Sequence, residues 1–262
     1  MMVTNPLSDI MRDHICRLVA RDERVDGRAR EEFRPLRITT GYVKSAEGSA
    51  LVSLGDTKVL VGVKCVVGEP FPDTPDKGVL TTNAELIPLA SETFEAGPPG
   101  EESIEIARVV DRGLREGKAV DLEKLCIKPG EEVWINFVDI HALDYDGNLF
   151  DAANIASVAA LRSTIIPASR MEKGEDFPLP MVHLPISATF AKVDGYLIAD
   201  PNFDEESVSS ARLTVVTLEN GKLCAMQKGL GGSFTKAEIE KAINLSLKWG
   251  EKVRSEHFSG GD

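Results

Sequence analysis

EESIEIARVVDRGLREGKAV, residues 101–120, gives the clearest periodic pattern in the chain. At roughly 100° per residue, Arg108, Arg112 and Arg115 fall within about 60° of one another. Ile106, Ala107, Val110 and Leu114 take the opposite face, with Val109 at its edge. Gly113 and Gly117 lie on that face too and permit close backbone approach. The spacing predicts an amphipathic helix with one packed side and a narrow arginine stripe. Acids flank the stripe, and Asp111–Arg115 and Arg112–Glu116 are i,i+4 pairs. Two readings follow. One is a solvated face of weak ion pairs. The other is a row of guanidinium forks that suit phosphate oxygens. The helix alone does not choose between them.

The bulk numbers limit what the stripe serves. The chain has 262 residues, 42% hydrophobic and 27% charged, ordinary for a globular protein. A net charge of −12 opposes bulk attraction to nucleic acid or anionic lipid, so any polyanion must meet a local basic site or a basic partner subunit. Cys16, Cys65, Cys126 and Cys224 form no CxxC and read as buried apolar residues in a reducing compartment. The four histidines are scattered, which predicts no metal site. No apolar run approaches a membrane span, and Asp9, Arg12 and Asp13 stand where a signal peptide needs an apolar core. The expected location is cytoplasmic.

Upstream of the stripe, Thr4 is a cap for a helix running to about Ala20, and Arg24–Arg28 reads as a polar turn. Alternation over Arg34–Val43, Ala50–Leu54 and Lys58–Val66 predicts a three-stranded antiparallel meander, and Val79–Ile87 a further strand. Glu92–Glu102, with Gly97-Pro98-Pro99-Gly100, is a loop. Downstream, Val133–Leu143 is an apolar strand, Asp144–Asn148 a turn, and Leu149–Ile166 an alanine-rich core helix. Proline-rich 167–180 is the expected linker. Strands then recur at Ile186–Lys192, Tyr196–Ala199, Leu213–Glu219 and Lys222–Gln227, the last two joined by Asn220-Gly221. A helix over Thr235–Arg254 follows, with a tail at 256–262. Strands then helix, twice, indicate an α+β fold with an internal pseudo-repeat, halves at about 22–166 and 181–255 after an N-terminal helix at 1–21.

These residues resemble the ribonuclease PH family. The resemblance is carried by Arg24-Val25-Asp26-Gly27-Arg28, by Lys44-Ser45-Ala46-Glu47-Gly48-Ser49, by Gly55–Leu60, by the arginine helix at Glu105–Leu114 and by Asp146-Gly147, all in family order. It implies the ribonuclease PH-like fold, two pseudo-repeated halves each of mixed β-sheet plus helix, of the ribosomal protein S5 domain 2-like kind. Within the family the likeness is strongest to the non-catalytic ring subunits of the archaeal exosome. It implies a phosphate-dependent 3′-to-5′ RNA-degrading ring in which this chain alternates with a catalytic subunit, as a hetero-hexamer built as a trimer of dimers. Cap subunits with RNA-binding domains of the S1 and KH types, and single-stranded RNA, are the other implied partners.

The departures from the family pattern matter as much. Where active members place a phosphate-binding Ser/Thr-Arg pair, this chain has Leu149 and Phe150. Where they carry a general-acid aspartate, twelve residues after the position of Asp200, it has Arg212, which neither shuttles a proton nor binds a cation. Leu89 aligns with a phosphate-contacting arginine. The resemblance therefore implies no catalytic residues and no cofactor in this chain, with phosphate and magnesium at the partner's site, and RNA backbone held by Arg108 and Arg112, to which Arg115 is added from its shared face. Asp200 and Glu205-Glu206 otherwise read as a polar loop locally capped by Ser207, and Arg212 as an ion pair with one of these acids or an RNA-facing charge. The alternatives are a self-sufficient exoribonuclease of the same fold and a structural scaffold in a eukaryotic-type ring.

Overall fold

The structure, a computed structural model, describes residues 6–259. Helix α1 spans Pro6–Ala20; its expected cap, Thr4, lies outside the described residues. Strands β1 (Leu36–Thr40), β2 (Gly48–Leu54) and β3 (Thr57–Gly68) form the expected antiparallel meander. Strand β4 (Val79–Leu86) runs parallel to β6 (Glu132–Asp144), and α2 (Glu101–Glu116) lies in the crossover between them. A short 3-10 turn at Leu122–Leu125 and β5 (Cys126–Lys128) complete that crossover, and the sheet reads β1-β2-β3-β6-β4 with β5 also on β6.

Helix α3 (Leu149–Arg162) follows, then a small ribbon of β7 (Ile165–Ile166) and β8 (Phe177–Pro178). The second sheet, ordered β10-β9-β11-β12, is built from β9 (Ile186–Val193), β10 (Tyr196–Ala199), β11 (Ala211–Thr217) and β12 (Leu223–Gly229). Helix α4 (Phe203–Val208) interrupts it, and α5 (Lys236–His257) closes the chain. Thr235 caps α5 through a capping box with Glu238.

Strand alternation explains the layering. Ser187 and Thr189 of β9, Thr214 and Val216 of β11, and Gln227 and Gly229 of β12 share one face of the second sheet. That face meets α2 and α3, which also pack against the first sheet, so the two helices form the layer between the sheets. The opposite face, with Ile186 and Phe190, takes α5, where Trp249 stacks on Phe33. α3 is buried on every side from Leu149 to Leu161, which its alanines permit.

Five expectations need correction. α2 stops at Glu116, because Lys118 at φ +46° closes a Schellman turn: its N–H reaches Arg115 O, and Ala119 N–H reaches Leu114 O. α3 stops at Arg162, since the β-branched run Thr164–Ile166 precedes Pro167, which disfavours helix at the preceding residue. The 167–180 segment is tied down by β7–β8 pairing and by the buried Ala168 and Leu179. The expected tail is ordered as far as Phe258, which is buried beneath the Arg162 guanidinium; 260–262 lie outside the described residues. Finally, all four cysteines are free thiols, but only Cys65 is fully buried.

Candidate functional site

The stripe is where the helical period put it. Arg108, Arg112 and Arg115 are exposed on α2, while Ile106, Val110, Gly113 and Leu114 are buried beneath them. Two of the arginines have partners. Arg115 Nε donates to Asp111 Oδ2 at 2.8 Å, the predicted i,i+4 pair, and its Nη2 donates to Leu80 O at 2.5 Å. Arg112 reaches across to the second sheet, donating from Nη1 to Gln227 Oε1 at 3.1 Å, rather than to Glu116. Among the described residues no ion pair engages Arg108. The stripe thus lies beside β12, a strand with no partner on its outer edge among the described residues.

Beside the N-terminal half of α2 a cavity of about 210 Å³ opens, lined by Glu102, Tyr145, Phe150, Glu206, Arg212 and Leu230 among others. Leu149 and Phe150 form one wall from the first turn of α3 and are buried. Their side chains bring no donor to an anion, so this apolar wall does not fit phosphate. Leu89, exposed at 76%, stands on the turn after β4 and does not line the cavity. Arg212 pairs with Glu105 of α2 at 2.5 Å, not with Asp200 or the α4 acids, and its guanidinium lies 4.0 Å over the Phe150 ring. Glu206 accepts hydrogen bonds from the Tyr145 hydroxyl at 2.8 Å and Asn148 N–H at 2.9 Å. Burial outweighs those bonds and pushes its carboxyl up to about 7.

Asp200 is not part of a polar loop. It is fully buried in a left-handed conformation, φ +46°. Its Oδ1 accepts from Arg34 Nη2 at 2.8 Å and Asn148 Nδ2 at 2.7 Å; its Oδ2 accepts from Arg34 N–H, Arg34 Nε and Arg28 Nη1 at 2.8–3.0 Å. Burial alone would raise its pKa, but the hydrogen bonds and charge of Arg34, with the charge of Arg28, hold it below the usual carboxylate range. Five donors saturate both oxygens, so this carboxylate does not fit a divalent metal. Among the described residues no cluster of three or more His, Cys, Asp or Glu is placed to hold a metal ion.

Arg24–Arg28, read as a polar turn, is likewise interior. Arg24 forms a two-pronged pair with buried Glu205, with Nε–Oε1 at 2.7 Å, and also donates to Ala199 O and Asp200 O. Glu205 in turn completes a capping box with Asn202 on α4, so Asn202 and not Ser207 is the cap. Arg34 extends the network to Asp146 O and Gly147 O, at the turn that opens α3. The sequence motifs at 24–28, 146–147 and 200–206 are therefore one buried ionic hub that ties the two halves together. Their spacing carried no sign of burial, since arginines and acids ordinarily sit at the surface.

Two sheets with α2 and α3 layered between them, their halves tied together by a saturated ionic hub, form the ribonuclease PH-like fold. The chain belongs to the 3′ exoribonuclease (RNase PH) family: the family's domain 1 matches residues 32–167 and its domain 2 residues 183–248. It is 54% identical over 256 residues to the exosome complex component Rrp42 of Thermococcus gammatolerans, covering 95% of this chain and 94% of that one. Among solved structures it is similar to a chain of the Archaeoglobus fulgidus exosome with RNA bound to the active site, with TM-score 0.93 and 50% identity over 96% of this chain and 99% of that chain. An archaeal exosome core contains another similar chain, with TM-score 0.89 and 47% identity over 96% of this chain and 97% of that chain.

Proposed function

We propose that this chain is a non-catalytic ring subunit of an exosome, a phosphate-dependent complex that degrades RNA from the 3′ end. Likeness along nearly its whole length to exosome components supports the ring-subunit reading. The non-catalytic reading rests on one observation. The wall that would hold phosphate is Leu149 and Phe150, and Arg212 stacks on that wall where a general acid would stand. A self-sufficient exoribonuclease would have to move both roles to other residues.

In this reading the chain has two tasks: it carries RNA backbone on Arg108, Arg112 and Arg115, and it shapes the active site of an adjacent catalytic subunit, which supplies the phosphate and magnesium sites. Alternation with that subunit in a hexameric ring, RNA-binding cap subunits and a cytoplasmic location complete the proposal; free thiols suit a reducing compartment.

Alone, the purified chain should release no nucleoside diphosphate from single-stranded RNA with phosphate and magnesium; release above a no-protein control would overturn the reading. In the ring assembled with its active partner, Arg108→Ala with Arg112→Ala should weaken RNA binding alike for different sequences. It should also flatten the slope of log affinity against log salt by about 1 to 1.5. Wild-type affinity and slope in that double variant would leave the stripe a solvated face.

A further inference from the structure

Helix α2 begins without a side-chain cap. Gly100 occupies the cap position, after Gly97-Pro98-Pro99, and among the described residues the one side-chain bond there runs from Ser103 Oγ to Gly100 O at 3.0 Å. An uncapped first turn leaves backbone N–H groups without partners and frays readily. Arg108 is only two turns in from this end. Something outside the helix must hold its N-terminal half if the stripe is to be rigid.

The core holds its buried side through Ile106 and Val110, and the second sheet holds its other side. Arg212 of β11 pairs with Glu105 on α2, and its side chain is 16% exposed. Its guanidinium carbon lies over Phe150, 4.0 Å from the ring centroid. On the other side is Gly229 of β12, the cross-strand partner of Arg212. A Cβ added there would stand 2.7 Å from Arg212 Nη2 and 3.1 Å from Cζ. Phe150 and Gly229 therefore make a slot one guanidinium thick. Two residues along the same face of β12, Gln227 accepts from Arg112. Both ties from the second sheet to the exposed side of α2 thus come from one corner of that sheet.

We propose that Arg212 is a positioning residue for the arginine stripe: slotted between Phe150 and Gly229, it anchors the N-terminal half of α2 through Glu105 and so holds Arg108 and Arg112 in line for RNA backbone. The proposal rests on the reading that the stripe binds RNA. It assigns a use to a position that has no catalytic chemistry left, and it explains why an acid sits one turn before Arg108, where its charge alone would repel phosphate.

That sign gives the test, carried out in the ring assembled with its active partner. Three variants break the anchor differently. Arg212→Met removes the charge but keeps an apolar stem on Phe150. Glu105→Gln removes the acid. Gly229→Ala changes no charge and fills the slot; the atoms it displaces are the end of a flexible side chain, so the fold tolerates it. Apparent affinity falls in proportion to the fraction of helices correctly seated, so each variant should lose about threefold in affinity for a single-stranded RNA. Each should also speed amide exchange over residues 101–108.

Glu105→Gln decides most sharply. If Arg212 and Glu105 were merely charges near the RNA path, removing the acid would tighten binding, and Gly229→Ala, by freeing Arg212, would do the same. Tighter binding in either variant, or unchanged exchange in all three, overturns the proposal. Arg108→Ala with Arg112→Ala serves as the control. If that control loses affinity while the three variants keep it, the anchor fails and the stripe stands. If the control itself binds as wild type, the stripe reading fails, and the positioning role fails with it.

Discussion

Asp200 carries more of this molecule than its place in a polar stretch implied. Its carboxylate neutralises Arg34 and Arg28, both nearly buried, and Asn148 donates to it and to buried Asp151 alike. Removing one partner of such a network leaves charge stranded in a poor solvent, with losses of about 3 to 5 kcal/mol. Asp200→Asn isolates this effect, because asparagine accepts the left-handed backbone as readily as aspartate. We predict a destabilisation of about 3 kcal/mol by denaturant unfolding at pH 7; a loss under 1 kcal/mol would mean the arginines find other partners. Since its folded pKa is depressed, the stability Asp200 confers is present above about pH 3.8 and disappears as pH falls through the folded value. Glu206 behaves in the opposite sense. Its carboxyl is raised from 4.5 to about 7, so between those values the folded chain binds a proton that the unfolded chain does not. Stability should therefore decline as pH rises from 4.5 to 7, and Glu206→Gln should flatten that decline by on the order of 2 kcal/mol. Equal slopes for the two proteins across this range would show that Glu206 titrates alike in the folded and unfolded chain.

At the scale of elements, periodicity worked where a face is one-sided and failed where it is not. The amphipathic α2 and the meander β1–β3 were legible because burial alternates with exposure along them. α3 is buried all round, so apolar pattern could not mark its end. The end of α2 was missed for a different reason: its left-handed residue is Lys118 where glycine is usual. That substitution has a measurable consequence. Lysine at φ +46° is strained, and its side chain is exposed. Lys118→Gly should raise stability by about 0.5 kcal/mol, seen as a higher urea midpoint with unchanged slope. A lower midpoint would show that unfolded-state entropy of glycine dominates.

For the whole molecule, an acidic chain with an arginine stripe and, among the described residues, an unpartnered edge at β12 reads as a component of a larger assembly. Exposed Leu223 and Met226 on that strand point the same way. Mixed with a catalytic family member, the chain should run in light scattering as one closed species. Two separate peaks at micromolar concentration would count against a shared ring. No helix among the described residues is long and apolar enough to cross a membrane.

The order of the main strands and helices, the family, and the face of α2 on which three arginines stand were all legible in the sequence, whereas α4 and the β7–β8 ribbon were not. Those properties are local or periodic, and a single chain carries them without reference to its folded neighbours. What the charged motifs hold together emerges from the folded chain alone. Arg24, Arg28, Arg34, Asp200 and Glu205 are separated by up to 181 positions, yet they form one buried network. Arg212 likewise found Glu105, 107 positions away, instead of the acids closest to it in sequence. A charge buried without a partner is costly enough that the fold must bring one from wherever the chain passes. That choice depends on which strands and helices meet in space, and spacing along the sequence does not record it.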